Sequence, residues 1–161
     1  MKTMFVMMTL VMMSVSCGKK ESKKNQWSME PYTVDPITGQ VSVVRAQIEN
    51  TRVFVNENER TIYFAETRTQ PNQVGGISCY AHIQSGLSRY DLSADGRRLT
   101  IYSRYGNQVY TRPDSGTSIL GSTWTGYQTT RSYQREKILL TFLSHEYANY
   151  VTECSRSYQG Y

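Results

Sequence analysis

The chain has 161 residues, the length of one domain, and its 39% hydrophobic and 19% charged content is ordinary for a globular protein. Its formal charge of +5 is concentrated near the start: residues 18–27 (GKKESKKNQW) hold four lysines, and from Ser28 onward 13 basic residues stand against 12 acidic ones. The basicity is local and the body almost neutral, so the high pI carries no argument for nucleic-acid binding and no nucleic-acid partner is expected.

Six of the seven methionines lie in the first thirteen residues. MKTMFVMMTLVMMSVSC places one lysine before an apolar run from about Met4 to Met13, then small residues, which is the pattern of a secretory signal peptide over residues 1–16. The run is too short for a spanning helix, which needs about 20 apolar residues. Ser14-Val15-Ser16-Cys17 resembles the lipobox of bacterial lipoproteins. That resemblance implies cleavage before Cys17, acylation of its thiol with palmitate-type chains, and attachment to a membrane through the lipid. With Gly18 next, it also implies sorting to the outer membrane. Residues 17–27 then read as the lipidated cysteine and a charged tether.

The chain has three cysteines, so an exported protein is left with an odd thiol unless Cys17 has its own fate. Cys79 and Cys154 remain as the intramolecular pair, and an oxidising compartment lets them join. Closing that loop is worth roughly 4 kcal/mol on the chain-entropy account.

Residues 28–161 read as a single all-β domain, with short β-branched and aromatic runs separated by turn residues. The expected strands are 41–48, 51–55, 60–66, 75–83, 87–94, 97–104, 108–112, 118–126, 136–143 and 147–154. Eight to ten strands suit a single antiparallel meander in a closed or nearly closed barrel, or else a two-sheet sandwich. Gly75-Gly76 lacks a phosphate-loop lysine and marks a turn after a Pro-Asn-Gln loop. Ile77, Cys79, Ala81 and Ile83 share one strand face, with Tyr80 and His82 on the other.

An Asp95-Gly96 turn pairs Leu92 with Leu99 and Tyr90 with Ile101. For the following hairpin, a three-residue loop Tyr105-Gly106-Asn107 pairs Tyr102 with Tyr110 and Ile101 with Thr111. In that register Arg89, Arg98, Tyr102, Arg104, Tyr110 and Arg112 gather on the outward face. Arginine forks bind phosphates and carboxylates, and tyrosines add planar contacts, so this face is a candidate site for an envelope protein or an anionic envelope polymer. Near the C-terminus, Ile138, Leu140 and Phe142 share one face, while Leu139 and Leu143 make the other apolar, as in a strand covered on both sides.

Gly121-Ser122-Thr123-Trp124 and the later Ile138-Leu139-Leu140-Thr141-Phe142 resemble small lipocalin-like domains. The resemblance implies an antiparallel barrel, with a carrier of a small apolar ligand as the alternative function.

No catalytic constellation emerges. The two histidines, His82 and His145, have no Cys/His cluster at metal-ligand spacing, and neither metal nor cofactor is expected. Ser144-His145-Glu146 reads as a hairpin loop. Asp91 faces Thr100 while Asp95 sits in a turn, so the two make no acid/base couple. The leading expectation is a non-enzymatic, lipid-anchored protein of the cell envelope with a binding or assembly role; its oligomeric state stays open.

Overall fold

The computed structural model describes residues 30–129 and 135–155. The signal segment, Cys17 and the tether lie outside the described residues. Eleven strands run in chain order: β1 (Tyr32–Val34), β2 (Val41–Asn56), β3 (Thr61–Phe64), β4 (Arg68–Val74), β5 (Ile77–Ile83), β6 (Gly86–Leu92), β7 (Arg98–Ser103), β8 (Gly106–Thr111), β9 (Thr123–Thr129), β10 (Arg135–Phe142) and β11 (Tyr147–Ser155).

Eight of them form an antiparallel barrel in the order β2-β11-β10-β9-β8-β7-β6-β3, which pairing of β3 with β2 closes. A barrel rather than a sandwich results, and closure removes the sheet edges that a sandwich would leave. β1 adds a short strand to β2, and β4–β5 form a separate hairpin between β3 and β6.

Closure depends on β2, one bent strand where two were expected. Before the bend Val44, Ala46 and Ile48 are buried; after it Val53 and Val55 are. The switch from even to odd numbering comes where Asn50 takes a positive φ of 50° and β11 carries a bulge between Ala148 and Tyr150. A bulge strengthens local twist and bends the strand. The first part of β2 is thereby free to pair with β11 while the second pairs with β3.

β4 takes in the Pro-Asn-Gln segment that reads as a loop in the sequence. It forms the outer member of a two-stranded hairpin, where the missing N–H of a proline costs no ladder bond. The turn is Gly75-Gly76, both with positive φ. The apolar face of β5 (Ile77, Cys79, Ala81, Ile83) is buried against the inward side of the barrel, and its outward Tyr80 and His82 are exposed. Cys79 and Cys154 are joined by a disulfide with Cα atoms 5.6 Å apart, so the hairpin is stapled to β11.

The expected pairs form, Leu92 with Leu99 and Tyr90 with Ile101, but the turn is not the two-residue Asp95-Gly96 one: Gly96 N–H donates to Ser93 O, and in this turn Gly96 alone takes a positive φ. The next hairpin differs. Its turn is Arg104-Tyr105, so Ser103 faces Gly106, Ile101 faces Gln108 and Leu99 faces Tyr110. A slip of three residues is odd and therefore exchanges the two faces of β8. β9 begins at Thr123 rather than at residue 118, and the residues before it form a loop. β10 is buried on both faces, Ile138, Leu140 and Phe142 inward and Leu139 with Thr141 outward.

Candidate binding cavity at the open end

The barrel has one sealed end and one open end. The seal is built on Arg112, whose side chain points inward and is buried. Its Nε donates to Gly96 O at 2.8 Å, Nη1 to Ser118 O at 2.9 Å and Ser122 Oγ at 2.8 Å, and Nη2 to Gly116 O at 2.8 Å. The guanidinium lies 4.4 Å from the Trp124 ring centroid. Backbone carbonyls and an aromatic face thus take the place of a carboxylate, which is how a buried cation keeps its hydrogen bonds. Trp124 Nε1 donates to Ile119 O at 3.1 Å, and Ser118 Oγ donates to Glu57 Oε1 at 2.6 Å, closing the loop over the core.

The other end is bounded by the β4–β5 hairpin and the Arg104-Tyr105 turn, and there the interior is not filled. A cavity of about 400 Å³ reaches down to Ile101, Tyr110, Leu140 and Tyr150, with Ile83 and Phe64 along its side. Burial drives the Tyr110 phenol well above the ordinary tyrosine range and pushes that of Tyr150 up to about 12. Both therefore stay neutral, and the floor offers aliphatic surface with uncharged hydroxyls. Tyr110 Oη donates to Gln108 Oε1 at 2.8 Å.

The rim is polar. Gln84 Nε2 donates to Tyr105 Oη at 2.6 Å, and the Arg104 guanidinium lies 4.7 Å from the Tyr105 ring centroid. His82 also borders the cavity, but its Nδ1 contacts Thr69 Oγ1 at 2.7 Å rather than a serine. Such a site can hold an apolar molecule with a hydrogen-bonding end.

The barrel wall parts beside the cavity. β8 and β9 pair only at Tyr110 with Gly126 and Thr111 with Thr125. Beyond those pairs a cleft of about 420 Å³ lies between the start of β8 and the end of β9, bordered by Tyr105, Gln108 and Tyr110, which also line the cavity. Gly126 is required here: a Cβ on it would stand 2.7 Å from Tyr110 Cδ1.

The expected Arg/Tyr face is divided by the β8 register. Arg89, Arg98, Tyr102 and Arg104 are exposed on the outer wall, and Tyr102 Oη donates to Asp91 Oδ2 at 2.9 Å. Tyr110 and Arg112 face inward and are corrected from that surface. Packing of Tyr110 over Gly126, and of Arg112 against Trp124 and four oxygens, outweighs the local apolar pattern that favoured the other register. Gln108, which the expected register also placed on the outward face, lines the cavity, and the rim residues Gln84, Leu87 and Tyr105 carry no signal in the sequence, because strand alternation does not say which end of a barrel stays unfilled.

Among the described residues no group of three or more His, Cys, Asp or Glu is placed to hold a metal ion. His145 lies in the β10–β11 loop with Nε2 3.7 Å from Glu57 Oε2. Compared with family models, curated proteins and solved structures, the chain matches none.

Proposed function

We propose that this protein is an exported binding protein of the bacterial cell envelope, held by a lipid on Cys17, whose barrel carries one small, largely apolar molecule in its open end. The observation that carries the binding reading is the cavity of about 400 Å³ that reaches from the open end down to Ile101, Tyr110, Leu140 and Tyr150. Ligand sites begin at about 300 Å³ and combine apolar walls with a few polar groups. Ile83, Ile101 and Leu140 would hold the apolar body, and the neutral phenols of Tyr110 and Tyr150 with the amides of Gln84 and Gln108 would orient a polar end. No proton transfer or bond cleavage is assigned to any residue. The disulfide supports the export reading, since such bonds persist outside the reducing cytosol.

Titration with an apolar fluorescent probe tests the cavity. Ser88 lines it and faces inward beside Tyr90. Wild type is expected to bind one probe saturably, and Ser88→Phe to lose that binding with an unchanged melting temperature. Absence of saturable binding by wild type rejects the carrier. The anchor is tested by the intact mass of the mature protein, which should show acyl groups on Cys17; a soluble, unacylated wild type rejects it.

A further inference from the structure

We infer that the outer wall beside the cavity mouth is a docking surface for an anionic phospholipid bilayer. Phe54 on β2 faces Tyr63 on β3, which in turn faces Leu87 on β6. All three point outward, at 47%, 41% and 68% exposure, and the Phe54 and Tyr63 rings stack with centroids 6.1 Å apart. Three large apolar groups therefore stand in one row across three adjacent strands.

Arginines border that row. Arg52 lies two residues before Phe54 with its guanidinium 5.7 Å from the ring centroid, Arg89 lies two residues after Leu87 on the same face, and Arg104 shares the cavity rim with Leu87. Among the described residues none of these three arginines forms a salt bridge, whereas Asp91 farther along β6 already has Arg60 at 3.7 Å and the Tyr102 hydroxyl. The wall therefore presents unneutralised guanidinium groups around exposed rings.

That chemistry matches a lipid surface. Guanidinium forks take phosphate oxygens bidentately, and aromatic rings settle at the head-group level. Three side chains on the convex wall of a barrel are too few for the roughly 800 Å² per partner of a stable protein interface. Shallow insertion into a bilayer needs no groove and no matching shape. Because Leu87 and Arg104 belong to both the row and the rim, a barrel seated this way brings its mouth to the lipid boundary. The docking stands whether or not the cavity takes a ligand.

The test uses the full chain on phosphatidylcholine vesicles with and without phosphatidylglycerol, with Leu87→Trp as reporter and brominated acyl chains as quencher. Quenching is expected on the anionic vesicles only, and it should fade at high salt. Adding Arg52→Gln, Arg89→Gln and Arg104→Gln should lower the docked-to-undocked ratio on the order of a hundredfold, since one arginine near an anionic surface contributes about a factor of five. A Ser115→Trp reporter, in the exposed loop over the sealed end, should stay unquenched, and circular dichroism should show all variants folded. Equal quenching on neutral vesicles, or none on anionic ones, overturns the proposal. So does a reporter shift that follows protein density without anionic lipid, which would assign the face to a second copy.

Discussion

At the sealed end of the barrel, Trp124, Ile119 and the Arg112 guanidinium occupy the interior, and every polar atom of that arginine has a carbonyl, hydroxyl or ring to meet. At the open end the same strands carry Ile101, Leu140, Tyr110 and Tyr150 around empty space, and a disulfide-stapled hairpin takes the place of a packed loop. The difference teaches that a barrel of this size can be held by one end. Packing at the seal fixes the register, and the staple lets the mouth remain unfilled.

The sharpest way to break that division is to cut the staple. Cys79→Ala with Cys154→Ala should destabilise the protein by about 4 kcal/mol in denaturant unfolding, because 75 residues separate the two cysteines. Amide exchange should rise first in β4 and β5 while β7 and β9 near the seal stay protected; uniform exchange would mean the two ends are not separable.

At the seal, Arg112→Ala should cost about 3 kcal/mol by leaving several buried oxygens without a donor, and probe binding at the mouth should persist. A loss under about 1 kcal/mol would show that water replaces the guanidinium. Gly126→Ala lies at the boundary between the ends. Its Cβ would meet the Tyr110 ring, so a cost of about 2 kcal/mol and a shifted probe affinity are expected together.

The smallest effect appears only in alkali. Tyr150 has its phenol raised from 10.0 to about 12 by burial, so the unfolded chain loses that proton first. Its contribution is complete below pH 10 and disappears as pH rises toward 12, roughly 1 kcal/mol by pH 11. Denaturation midpoints at pH 8, 10 and 11 should fall in that order, and Tyr150→Phe should lessen the decline, the remainder coming from Tyr110, whose phenol burial raises as well.

Much of the fold was legible in the residues. The Asp95-Gly96 dipeptide marks its hairpin and the pairs follow, because Gly96 supplies the one left-handed position that the Ser93–Gly96 turn needs. Alternation along β5 placed Cys79 inward, facing the strand that carries Cys154. Harder to read were β4, where Pro71 argues against a strand unless its outer position is known, and the β7–β8 turn, where two loop lengths satisfy the local pattern. The site suffered most from that second ambiguity: an odd slip turned Tyr110 from a surface group into the cavity floor and Arg112 into the seal.

What the sequence by itself determined is the all-β class, the near-neutral body and the pairing of Cys79 with Cys154, because alternation, charge and cysteine number are properties of the chain alone. The tertiary structure decided that β2 bends to close a barrel, that β8 pairs in its observed register and that one end remains hollow. Those outcomes depend on which distant side chains fill a shared interior, as when the ring of Tyr110 finds room over Gly126. No local pattern along the chain encodes that fit.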